Sequence, residues 1–190
     1  PNRYGYIKQI QNSFLQCHFD TQETESSFEK LIEDMDMEDK AKVTQDPRGV
    51  ALELDGDVCF GSGTVILKDE LKETLNSATI QLMSNPDDLR SILIEGHTDN
   101  QLPQGKIAER YPTNWELSSA RAANVVNYLI YKGVMPGRLT ASGYADQWPA
   151  EVSYADRRSG NINDEIIKKF NSTTELKSKN RRIKIIYARQ

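Results

Sequence analysis

Two cysteines, Cys17 and Cys59, are all that the 190 residues contain, and neither belongs to a CxxC pair. That excludes a disulfide framework and a cysteine-based zinc motif. Histidine is as scarce, with His18 and His97 alone, which excludes a histidine-rich metal centre. No HExxH and no nucleophile elbow occur, and Gly61-Ser62-Gly63 stands without the rest of a P-loop or a GxGxxG. A basic excess is missing too: 24 Lys and Arg against 28 Asp and Glu leave a net charge of −4. That balance argues against a general nucleic-acid binder. No apolar run approaches the ~20 residues that span a bilayer, and there is no signal-peptide pattern. The sequence opens on Pro1 rather than Met. It reads as a processed or truncated form, with an anchor or membrane helix expected upstream.

What is present is the composition of a polar globular chain, 37% hydrophobic and 27% charged, long enough to bury a core without staples. The length fits one domain plus an arm, at about 150 residues per domain. Residues 1–46 read as the arm, a helical linker. Ile7, Ile10 and Phe14 step at helical spacing, and so do Phe28, Leu31, Ile32 and Met35. Five acids in the seven residues from Glu33 to Asp39 read as a solvated helix end.

The main domain, residues 47–190, opens at the turn signal Asp46-Pro47-Arg48-Gly49. Val50 to Leu54 and Val58 to Phe60 flank Asp55-Gly56-Asp57, the pattern of a β-hairpin with Asp-Gly at its tip. Leu67, Leu71, Leu75, Ala78 and Leu82 mark an amphipathic helix that Ser84-Asn85-Pro86 ends. Ser91 to Ile94 suits a strand buried on both faces. Thr113 and Glu116 form a capping box, opening a helix that carries Ala122, Val125, Val126 and Leu129 and stops at Gly133 and Pro136. Arg138 to Tyr144 is a further strand. The polar stretch 145–179 holds a short helix at Asp164–Phe170. Arg181 to Ala188 alternates as a strand at the sheet's far end. The order ββ-α-β-α-β-long loop-β implies an α/β fold, an α+β sandwich with helices on one face of a mixed sheet.

Three polar clusters and one catalytic arrangement stand out. His97-Thr98-Asp99 ends the buried strand, where α/β sheets place ligands; it also fits a turn in which Asp99 bonds nearby backbone N–H groups. Arg121 lies at the edge of the capped helix's apolar face, able to take a carboxylate bidentately or simply to be an exposed charge. Asn180-Arg181-Arg182 enters the last strand, where adjacent arginines point to opposite faces, so at most one serves the same site; the alternative is protection of a strand edge. His97 as general base with Ser62 or Ser142 as nucleophile is the catalytic reading, and it lacks every supporting motif.

Read together, four blocks carry a resemblance. They are Ile94-Glu95-Gly96-His97-Thr98-Asp99-Asn100, Asn114-Trp115-Glu116-Leu117-Ser118-Ser119-Ala120-Arg121-Ala122, Arg138-Leu139 through Gly143-Tyr144, and Asn180-Arg181-Arg182-Ile183. In this order they resemble the OmpA-like peptidoglycan-binding domain. The wording of the second block is closest to the periplasmic part of MotB-type flagellar stator subunits. The resemblance implies an OmpA C-terminal-like mixed sheet and a non-catalytic wall anchor, with no cofactor and no metal. It implies that Asp99 and Arg121 hold the peptide stem of peptidoglycan. A diamino acid of the stem carries an ammonium and a carboxylate, and one acid with one guanidinium pairs both charges. Thr98, Asn114 and Leu117 match positions around the same pocket, and Arg181 or Arg182 matches a terminal arginine pair that supports Asp99 or the glycan.

The same resemblance implies a MotA-like channel partner, reached through a membrane helix outside this chain, and a periplasmic domain of a single-pass inner-membrane protein. It also implies a homodimer, for which the stripes Ile7, Ile10, Phe14 and Phe28, Leu31, Ile32 offer a surface. The alternatives are an outer-membrane lipoprotein anchor, a stator-like subunit of a non-flagellar ion-driven complex and, more remotely, a cell-wall hydrolase. The chain departs from the family pattern in a longer 99–114 loop, a longer 144–180 segment and the lack of Glu-Gly-Arg before Asn180-Arg181-Arg182.

Overall fold

The computed structural model describes residues 21–189. Ile7, Ile10, Phe14, Cys17 and His18 lie outside the described residues. Five strands form one sheet in the order β1-β2-β5-β3-β4. They are β1 (Ala41–Asp46), β2 (Gly49–Asp55), β3 (Ile92–His97), β4 (Leu139–Gly143) and β5 (Arg182–Ala188). Only β3 and β4 run parallel, the other pairs being antiparallel. Around the sheet lie α1 (residues 21–34), α2 (Gly56–Cys59), α3 (Asp69–Ala78), α4 (Lys106–Arg110), α5 (Asn114–Tyr131), α6 (Tyr154–Arg158), α7 (Asp164–Lys169) and α8 (Thr174–Asn180).

The hairpin is displaced from its expected position. β1 pairs with β2 from Ala41↔Leu54 to Asp46↔Gly49, so Pro47-Arg48 is its turn. Asp46 accepts the Arg48 N–H at 2.9 Å, the local bond that makes aspartate a turn former. The Asp55-Gly56 signal is used otherwise. The Asp55 side chain accepts the Asp57 N–H at 2.9 Å and caps α2. Gly56 donates to the Arg181 carbonyl at 2.6 Å, and a Cβ there would lie 2.5 Å from that oxygen. Glycine at 56 therefore allows close approach to the chain entering β5.

The described part of the arm, residues 21–46, is not separate from this fold. Phe28, Leu31 and Ile32 of α1 are buried in one cluster with Leu52, Leu54, Leu71, Leu75, Ile92, Ile94, Val125, Leu129, Ile183 and Ile185. β1, on the arm side of the expected division at residue 46, is one of the sheet's two edge strands. The apolar face of α1 thus packs on its own domain and not on a second chain.

α3 continues into a π-helical turn, Thr79–Met83. The capping box of α5 is in place: the Thr113 hydroxyl accepts the Glu116 N–H at 3.4 Å, and Glu116 accepts the Thr113 N–H at 2.9 Å. A Cβ on Gly96 would lie 2.2 Å from the Ser118 carbonyl oxygen. That glycine lets α5 press backbone to backbone on the end of β3, which brings the N-terminus of α5 to the strand ends.

β5 is not at the far end of the sheet but central, between β2 and β3. Its Ile183, Ile185 and Tyr187 face the helices. Its Arg182 and Lys184 face the other way, opposite Asp55 and Glu53 on β2 and His97 and Glu95 on β3. Carboxylates on that face make a charged alternation tolerable in a central strand. The segment following β4 closes this second face with Tyr144, Trp148 and Tyr154. Within the expected polar stretch α7 is where the sequence put it. α6 and α8 are additional short helices, capped by Ser153 and Thr173.

Candidate functional site

A cleft of about 270 Å³ opens at the strand ends, lined by Gly56, Asp57, Phe60, Gly61, Ser62, Gly63, Asp99, Gln101, Arg121 and Arg181. Two aspartates and two arginines supply its charge. Asp99 lies two residues past the end of β3 and is 5% exposed. Its Oδ1 accepts the Gln101 N–H at 2.9 Å and its Oδ2 accepts from Arg181 Nη1 at 2.7 Å. The other Arg181 amine, Nη2, reaches Asp57 Oδ2 at 3.2 Å. Burial works against the Arg181 charge, but the bonds to Asp99 and Asp57 outweigh it and raise its pKa.

Arg121 comes from the flank of α5. Its Nε and Nη2 both donate to the Thr64 carbonyl, at 3.1 and 3.0 Å. Its guanidinium carbon stands 5.0 Å from the centre of the Phe60 ring, a cation–π contact. Burial lowers its pKa below the ordinary guanidinium value; the side chain remains a cation. Such a site offers a half-buried positive fork beside a neutralised acid, which suits a ligand carrying both charges.

Asp99, Arg121 and Arg181 are thus brought together as the sequence implied. The other expected residues do not line the cleft. Asn114 acts from beneath: its Nδ2 donates to the Asp99 carbonyl at 3.1 Å and fixes the loop. Thr98 is buried, its N–H given to the Ala145 carbonyl at 2.9 Å. Leu117 is buried under α5. Arg182 turns to the second face by strand alternation, where it donates to the Trp148 carbonyl at 3.3 Å and stands 3.6 Å from Glu53. Gly56, Asp57, Phe60, Gln101 and the Gly61–Gly63 loop also line the cleft, where no motif had placed them; Ser62 stood only as a candidate nucleophile.

The second face holds a separate charged layer. Asp46 pairs with Arg48 and Lys184, both at 2.8 Å, and Glu95 pairs with Arg48. Burial opposes ionisation of Glu95, but His97 and Arg48 hold its pKa down to about 2. His97 is 2% exposed and stacks on Tyr144 with ring centres 5.4 Å apart. Burial, reinforced by Arg182, lowers its pKa to about 4. Neither ring nitrogen of His97 has a hydrogen-bond partner among the described residues, so it forms no pair with Ser62 or Ser142. Among the described residues no group of His, Cys, Asp and Glu could hold a metal ion.

Comparison with known proteins places these features in context. A family model described as "OmpA family" matches residues 59–160. An uncharacterised protein of Bacillus subtilis, YtxE, is 34% identical over 150 residues, covering 77% of this chain and 52% of that protein. Motility protein B of the same organism is 26% identical over 162 residues, covering 85% of this chain and 53% of that protein. The chain therefore spans about half the length of these curated relatives. Among solved structures, a MotB-like protein from Desulfovibrio vulgaris superposes with a TM-score of 0.69 at 24% identity, covering 90% of this chain and 95% of that one. The cell wall anchor of the T6SS from Pseudomonas aeruginosa gives 0.62 at 25% identity, covering 85% and 96%.

Proposed function

Because the chain belongs to the OmpA family, we propose that its cleft binds peptidoglycan without hydrolysing it and so anchors a larger protein to the cell wall. The observation that carries this reading is Arg121 and Asp99 meeting in one cleft at the end of β3. The motility and wall-anchor names of its relatives support it. Asp99 and Arg121 engage the peptide stem, with Arg181 paired to Asp99 while the cleft is empty. Incubating the chain with purified insoluble peptidoglycan tests the reading. Co-sedimentation without release of soluble fragments is expected. Turnover of the polymer would overturn it.

The whole protein, on this proposal, is a stator subunit of an ion-driven flagellar motor. It would sit on the wall side of the inner membrane, carry a single membrane helix, pair with a MotA-like channel subunit and act as a homodimer. No helix among the described residues is long and apolar enough to cross a membrane, so that helix belongs to sequence beyond them. The likeness to the T6SS anchor favours a second reading, the wall anchor of a non-flagellar machine. Co-purification of the full-length protein with a MotA-like subunit separates the two. An outer-membrane lipoprotein anchor remains the third reading, and a lipidated cysteine upstream of Pro1 would select it.

A further inference from the structure

The cleft already contains a cation where a ligand ammonium would go. Both Asp99 carboxylate oxygens are engaged, one by the Gln101 N–H and the other by Arg181. The Asp99 side chain is 7% exposed and that of Arg181 27%. Little of the Asp99 carboxylate is open to the cleft, and a ligand ammonium that takes the Oδ2 position does so by displacing the guanidinium. Asp57 stands at the rim with its side chain 67% exposed and already holds the other arm of Arg181. It is a ready partner for the displaced group. Arg121 is in the opposite condition. Its two inward N–H groups share one neutral carbonyl oxygen, and among the described residues no carboxylate forms an ion pair with it.

Resting on the peptidoglycan reading, we propose that Arg181 is a displaceable internal occupant of the ammonium half of the cleft, received by Asp57 on ligand binding, so that the ligand's free carboxylate on Arg121 supplies most of the net affinity. The reasoning is one of exchange. A ligand ammonium on Asp99 replaces one charge-assisted bond with another, and little is gained. A ligand carboxylate on Arg121 replaces a neutral acceptor by a bidentate ionic one, which is a gain in the bound state alone. The cleft thereby discriminates on the state of the carboxylate: a free acid is accepted and an amide is rejected.

The test is a calorimetric titration of the 190-residue chain with a soluble stem peptide ending in a diamino acid. The peptide is used free, amidated at the diamino-acid carboxylate, or acetylated at its side-chain amine. Amidation is expected to weaken binding by about thirtyfold or more. Acetylation is expected to weaken it by no more than about fivefold, the scale of an exchanged exposed pair. In Arg181→Gln the acid is left without its internal cation, so the free peptide binds more tightly and the acetylation penalty rises toward thirtyfold. In Asp57→Asn, an exposed position, the displaced guanidinium loses its receiver and the free peptide binds more weakly.

Acetylation that harms the wild type as much as amidation overturns the proposal. So does an acetylation penalty unchanged by Arg181→Gln, or unaltered binding in Asp57→Asn, even though the chain still binds the stem. A wild-type chain that binds none of the three peptides, and does not sediment with the polymer, removes the peptidoglycan reading itself.

Discussion

Replacing Phe28 by Ala removes a ring that is 0% exposed and lies against β-strand and helix side chains of the main sheet. If α1 were a detached arm, the change would hardly register. Docked as observed, Phe28→Ala loses the transfer energy of a full aromatic side chain and leaves a cavity, together about 3–5 kcal/mol. Leu31, 1% exposed in the same cluster, gives about 2–5 kcal/mol on Leu31→Ala. Domains of this kind have roughly 5–15 kcal/mol in all, so either variant uses a large share of the stability, and the two losses are not additive, because both sites touch one cluster. Urea unfolding followed by circular dichroism measures the loss as a lower midpoint at constant slope. A loss under about 1 kcal/mol for Phe28→Ala would refute the docking of α1 and restore a separable arm.

Further outcomes follow from other sites. His97, held neutral by burial with its pKa at about 4 against an ordinary 6.5, binds a proton in the unfolded chain before it does in the folded one. Its stability contribution is therefore complete above pH 6.5 and is lost as the pH falls toward 4, by at most about 3 kcal/mol; in His97→Gln unfolding scans the slope across that window should flatten, and an unchanged slope would contradict the assignment. Gly96→Ala forces a Cβ to 2.2 Å from the Ser118 carbonyl oxygen, and is expected to lower the unfolding midpoint by about 1–3 kcal/mol as α5 is pushed off β3; a neutral result would mean that the helix does not press on that strand. Removing residues 1–46 takes away β1 as well as α1, so residues 47–190 alone should be aggregation-prone, with β2 left as an open edge; a soluble, cooperatively folding fragment would count against this.

What was legible in the sequence was local. The capping box of α5, the buried run of β3 and the short helix α7 each carry their signal within a few consecutive residues, and all three are present. Asp-Gly at residues 55–56 misled because the aspartate that starts a tight turn also caps a helix. Only the distant Arg181 carbonyl, against which Gly56 packs, decides between them. The stripe Phe28, Leu31, Ile32 announced that α1 needed a partner, but a periodicity cannot say which surface that is. The central place of β5 was hidden because the acids that neutralise Arg182 and Lys184 come from other strands. At the site, Asp99 and Arg121 were readable through their motifs, and alternation alone implied that only one of Arg181 and Arg182 could join them. Asp57 was not readable, since its partner Arg181 lies 124 residues away.

The central claim is that Asp99 and Arg121 form a peptidoglycan-binding pair, and binding of purified peptidoglycan by Asp99→Ala and Arg121→Ala measures it most directly. Each variant should keep the wild-type circular dichroism spectrum while losing about 2–5 kcal/mol of binding energy, enough to leave nearly all of the protein in the supernatant after sedimentation. Arg121→Ala does so through the lost carboxylate pair, and Asp99→Ala because Arg181, left without its acid, then opposes the ligand ammonium. Folded variants that sediment with the polymer as the wild type does would contradict the account.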